Sequence, residues 1–313
     1  MKISPSMTYN IITLKNGEFT AKINVDRGAN LFSLRNDSKG VSILREPNYD
    51  LPLDNPYLYG APLLFPVNRI SGGAFKFEGR DYVFPINEEK TNCHLHGVLH
   101  QIPFKVEKLS KSRAVLSYTA TANSPYLAFP HEFRVKVSYV LTCRGIKVKT
   151  QFLNLSTTNM PVMFGYHTTF NAKFIKGCEP LVRVGFCDEI ERNMQNYLPT
   201  GKLLDFDGVS KALIDGKFNP LSQPISRHYK CKNNGNIAIF DKNSKMRVEY
   251  KNSKNLNFRL IYNGNADEYI CLEPQNAMAN AVNAPQGRDY GGFTYIKPDR
   301  KITFKSEILL LKD

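Results

Sequence analysis

Phe133-Arg134-Val135-Lys136-Val137-Ser138-Tyr139-Val140-Leu141-Thr142 sets apolar side chains at every second position, with Glu132, Arg134, Lys136 and Ser138 between them. After Cys143-Arg144-Gly145 the alternation resumes in Ile146, Val148, Thr150 and Phe152. A period of two places successive side chains on opposite faces of a strand, so the segment predicts a long antiparallel hairpin, one face buried and one solvated. The same alternation recurs in Met246/Val248/Tyr250, Leu256/Phe258/Leu260 and Ile302/Phe304, and turn pairs such as Asn16-Gly17, Gly72-Gly73 and Glu78-Gly79 punctuate it. A helical period is weak everywhere. Residues 211–218 and 188–197 are each expected to hold a helical turn or two. Without a linker or a repeat, the chain predicts one all-β domain over residues 1–313, a large antiparallel β-sandwich.

Composition narrows the function. The 313 residues are 42% hydrophobic and include 20 Phe and 16 Tyr, enough for a substantial core and far from the profile of a disordered chain. No apolar run is long enough to span a bilayer, and the first residues lack the apolar segment of a secretory leader. The six cysteines (Cys93, Cys143, Cys178, Cys187, Cys231, Cys271) show no disulfide or C-x-x-C spacing, which predicts reduced thiols and a cytoplasmic protein. The net charge of +14 raises the question of nucleic acid. The cations are spread at alternate strand positions, such as Lys147/Lys149, and form no cluster or module, so no nucleic-acid partner is expected.

Four segments carry candidate chemistry: Asn68-Arg69-Ile70, Cys93-His94-Leu95-His96-Gly97, Gly165-Tyr166-His167-Thr168-Thr169-Phe170-Asn171, and Leu272-Glu273-Pro274-Gln275. Arg69 stands among apolar residues and needs a partner, either an internal carboxylate or substrate oxygens. His94 and His96 share a strand face and His100 follows. An H-x-H pair on a strand can bind metal, but the accompanying carboxylate is missing, so no metal is expected. His167 alone reads as a structural histidine. Glu273 ends an apolar strand before Pro274, which is expected to end regular pairing. Desolvation there raises a carboxylate's pKa and makes it a better base.

In this order the four segments resemble the aldose 1-epimerase family, from about Gly60 to Leu310. Pro199-Thr200-Gly201 and Ile296-Lys297-Pro298-Asp299 add weaker likeness. The resemblance implies a galactose mutarotase-like supersandwich and a mutarotase that interconverts α and β anomers of an aldose with no cofactor. It implies Glu273 as general base, His167 as general acid, Arg69 and His96 as ligands of sugar hydroxyls, and Gln275 and Asn68 as assisting residues. His167 would have to stay protonated, its pKa raised by a nearby carboxylate. A departure falls in Pro224-Ile225-Ser226-Arg227-His228-Tyr229, where the family often places a substrate-binding Asp and this chain has none. Either Arg227 and His228 meet an anionic substituent, or both face solvent and the substrate is a neutral aldose. A hexose-6-phosphate epimerase, a metal enzyme built on His94, His96 and His100, and a non-catalytic sugar-binding protein are the rival readings. The expected partner is a small sugar, without nucleic acid or membrane, and the expected state is monomer or homodimer.

Overall fold

A computed structural model describes residues 9–48, 55–231 and 237–312. Two large antiparallel sheets face each other. In the first, the strands run Lys105–Leu109, Arg113–Ala120, Phe133–Thr142, Gly145–Asn154, Lys301–Lys312, Met246–Asn252, Ile237–Asp241 and Pro180–Val184. The hairpin foreseen at residues 133–152 lies near its middle, with Phe133 opposite Asn154 and Thr142 opposite Gly145. Phe133, Val135, Val137, Tyr139 and Leu141 are all buried, as the alternation requires. The outer face of this sheet carries Lys136, Lys147, Lys149, Lys251 and Lys305, which line a groove of about 730 Å³.

The second sheet runs Pro199–Leu204, Asp188–Arg192, Ser226–Lys230, Phe258–Tyr262, Tyr269–Gln275, Gly165–Tyr166 and Leu63–Leu64, with Thr169–Asn171 also paired to Tyr269–Gln275. Inward side chains lock the two sheets together. Tyr166 and Thr150 hydroxyls meet at 2.8 Å, as do those of Thr168 and Tyr250, and the Phe164 and Phe304 rings stack at 4.9 Å. The fold is therefore the all-β sandwich that the sequence predicts. A four-stranded sheet, Ile11–Asn16 to Val41–Ser42, packs beside it, and one hydrophobic cluster draws residues from Ile12 to Leu310.

Two local expectations fail and a third shifts. Residues 188–192 form a strand and not a helical turn, because Glu189 and Ile190 pair in register with Leu204 and Leu203 on one side and with Tyr229 and His228 on the other. The helix near residue 211 starts earlier, at Gly208–Asp215: Asp207 caps it by accepting from Ser210 N, and Gly216 closes it in the left-handed region at φ 71°. Nor does Pro274 end its strand, which continues to Gln275.

Candidate active site

Strand register builds the site. Gly165 lies opposite Gln275 and Thr169 opposite Cys271, so the position between them sets His167 opposite Glu273. Leu272 N donates to Thr168 O and Asn276 N to Phe164 O. Pro274 lies between these two donors, where its missing N–H costs the ladder one bond. On the other side of the strand Glu273 faces Leu260, and Leu260 faces His228. His167, Glu273, Leu260 and His228 thus form one row across four neighbouring segments, all on one face of the sheet. That face points away from the partner sheet, toward which Thr168, Ile270 and Leu272 turn.

His167 Nε2 sits 3.2 Å from Glu273 Oε1, and both side chains are buried. Gln275 donates to Glu273 Oε2 at 3.1 Å, and Asn68 donates to Gln275 Oε1 at 3.1 Å. The Asn68 backbone N–H donates to His96 Nδ1 at 3.2 Å, so neutral His96 carries its proton on Nε2. Asn68 and His96 both hold left-handed backbone, φ 62° and 61°, a conformation that non-glycine residues adopt at a cost and that is concentrated at functional sites. Gly165 is small by necessity: a Cβ there would lie 2.9 Å from Gln275 Cγ and 2.7 Å from Val67 Cγ2. Asn68, His96, His167, Glu273 and Gln275 are thereby brought together.

Arg69 joins them differently. Its guanidinium forms a two-point ion pair with Glu88 at 2.6 and 2.7 Å and lies over the Tyr197 ring at 4.7 Å. Of its two sequence readings, the internal ion pair is built. Burial of Glu273 pushes its carboxyl up to about 8, against the lesser opposing effects of Gln275, Arg192 and Arg69. Burial likewise pushes His167 down to about 3 and His96 well below the usual imidazole range. This corrects the expectation that a carboxylate raises His167: desolvation is the largest influence on both groups and favours neutral His167 and protonated Glu273.

Sequence reasoning missed several neighbours. Tyr57, set by Asn55 and Pro56 at the start of a 3-10 turn, places its ring 4.8 Å from His96, 4.7 Å from His100 and 5.9 Å from His167. Arg192 lies over Tyr197 from a second direction at 5.7 Å. His228, read as either a substrate contact or a solvent-facing residue, is fully buried in the Glu273 row. Arg227, its neighbour, points to the opposite face of the sheet. There it pairs with Glu189 at 2.8 Å and Asp207 at 2.6 Å and keeps 24% of its side chain exposed, so its charge is already matched within the protein. The proposed metal trio does not converge: His94 binds Pro85 O, His96 takes the Asn68 N–H, and His100 meets Gln101. Among the described residues, the potential metal ligands that do converge are His167, Cys271 and Glu273, with ligand atoms within 4.8 Å of one another. They suit a cation poorly, because burial raises both the Cys271 thiol and the Glu273 carboxyl, and a cation would have to displace both protons.

A sequence profile of the aldose 1-epimerase family matches residues 10–308. A crystal structure of a galactose mutarotase-like protein from Clostridium acetobutylicum superposes with a TM-score of 0.91 at 31% identity, covering 97% of this chain and 96% of that one. A putative aldose 1-epimerase from Escherichia coli K12 shares the fold, with a TM-score of 0.78 at 16% identity over 98% and 100% of the two chains. Protein LacX of Lactococcus lactis is 24% identical over 285 residues, 87% of this chain and 89% of its own. The uncharacterized protein YihR of Escherichia coli (strain K12) is 28% identical over 158 residues, 50% of this chain and only 48% of its own length.

Proposed function

The chain belongs to the aldose 1-epimerase family, and we propose that it interconverts the α and β anomers of an aldose by acid–base ring opening and closure, with no cofactor. The observation that carries this reading is the buried cross-strand pair of His167 and Glu273, 3.2 Å apart. Mutarotation needs one acid and one base and consumes no net proton. Each positioned group contributes about 10² to 10⁴ in rate. With the proton on His167, the Glu273 carboxylate takes the hydrogen of the anomeric hydroxyl while the imidazolium protonates the ring oxygen. The bond from C1 to the ring oxygen breaks and a carbonyl forms at C1, leaving protonated Glu273 and neutral His167, the state that burial favours. Rotation about C1–C2 then presents the other face, and reclosure returns both protons. His96, Asn68 and Gln275 orient the hydroxyls and the carboxylate, and Arg69, steadied by Glu88, borders the same space.

The remaining expectations accompany this proposal: a cytoplasmic protein, monomer or homodimer, whose partner is a small sugar and neither nucleic acid nor membrane. Among the described residues, no helix is long and apolar enough to cross a membrane. The deciding experiment is polarimetry, or NMR exchange between anomers, on freshly dissolved pure anomers of neutral and phosphorylated aldoses. Acceleration that Glu273→Gln removes supports the mutarotase. Binding of sugars without any acceleration leaves a sugar-binding protein and refutes the enzyme.

A further inference from the structure

We propose that Arg192 and His228 form a second pole of this site, which binds an anionic substituent, phosphate or carboxylate, on the sugar. The inference rests on the mutarotase reading and names its substrate class. His228 lies two strands from Glu273 in the same row, about 10 Å away at ordinary strand spacing. Leu260 lies between them. It is buried but packs outside the main hydrophobic cluster, and so offers an apolar floor on the site face. An anomeric centre at Glu273 would therefore direct the far end of the ring toward His228.

Both ring nitrogens of His228 are buried without a hydrogen-bond partner among the described residues. Arg192 holds the adjoining position. Its Nη2 donates to Ser226 O at 2.6 Å and to Ser226 Oγ at 3.1 Å. The side chain is 8% exposed, and among the described residues no carboxylate lies within ion-pair distance of it. The other arginines nearby are neutralised, Arg69 by Glu88 and Arg227 by Glu189 and Asp207. Glu273 and Glu189 act on this guanidinium only from beyond ion-pair distance, and a ligand that brings a negative charge into contact offsets the cost of burying it. Its planar fork matches phosphate and carboxylate oxygens, and neutral His228 adds one N–H. A neutral hydroxyl would satisfy His228 but leave the charge of Arg192 unmatched.

Binding and turnover test this separately. Calorimetric titration of the wild type with glucose, galactose, glucose 6-phosphate and glucuronate should show one anionic sugar bound about tenfold or more tightly than glucose, less so in high salt. Which of the two anions binds distinguishes phosphate from carboxylate. Arg192→Gln should abolish that preference, Arg192→Lys should retain part of it, and His228→Phe should weaken it. Thermal unfolding checks each variant, and should Arg192→Gln fail to fold, the lysine and His228 variants carry the comparison. Equal affinity for neutral and anionic sugars, or a preference untouched in these variants, overturns the anion subsite. Tight anion binding without anomer exchange leaves the subsite standing and refutes the mutarotase, whereas fast exchange of neutral sugars with no anion preference does the reverse.

Discussion

Replacing Glu273 by Gln should make the protein more stable and catalytically inert, with the gain growing as pH rises. Glu273 titrates near 4.5 in an unfolded chain and at about 8 in the native one. Between those values the unfolded chain has released the proton and the native chain keeps it, so wild-type stability falls as pH increases through this window. At about 1.4 kcal/mol per unit, the penalty grows from about 1 kcal/mol at pH 5 to about 3 kcal/mol at pH 7. Glutamine has no such titration. Its carbonyl can still accept from Gln275, and its amide can face His167, so the side chain remains satisfied. Urea denaturation of both proteins at pH 5, 6, 7 and 8 measures the difference directly. A stability gap that stays flat with pH, or a wild type more stable than the variant at pH 8, would refute a carboxyl held protonated by burial. In the same variant kcat should fall by about two orders of magnitude or more with KM little changed, since only the basic oxygen is lost.

Other expectations follow from the same geometry. With burial pushing His167 down to about 3 and Glu273 up to about 8, kcat/KM should be flat through neutral pH and fall above about 8 as the Glu273 proton is lost. In His167→Asn most activity should vanish while the residual rate keeps that alkaline limb; its disappearance would return the limb to His167. Arg227→Ala strands Glu189, which is 3% exposed, and should cost about 3 kcal/mol in denaturant unfolding without changing sugar preference. A shift in the ratio of anionic to neutral turnover would instead place Arg227 at the substrate. Chelator should leave anomer exchange unaffected, because His167, Cys271 and Glu273 together present a protonated thiol and a protonated carboxyl. Stoichiometric zinc in active protein, with turnover lost on its removal, would contradict this.

Period-two alternation is a local property, and it was enough to read the sandwich and the buried face of Phe133, Val135 and Val137 from the chain alone. The segments around Asn68, His96, His167 and Glu273 were equally legible as short strings of residues with the right chemistry. Their meeting was not. His167 and Glu273 are opposite each other because Gly165 pairs with Gln275 and Thr169 with Cys271, a register between strands about a hundred residues apart that no local pattern encodes. The same long-range pairing made a strand of residues 188–192, within the segment 188–197 expected to hold a helical turn or two, placed Arg192 beside Ser226, and sent Arg227 to the opposite face from His228. Tyr57 shows the division within one residue: Asn55 and Pro56 mark its turn, yet its three histidine neighbours come from distant segments. The proton inventory of the site also belongs to the tertiary structure. A sequence states which groups can ionise, but desolvation and the distance to a counter-charge decide whether they do, and both exist only once the strands are packed.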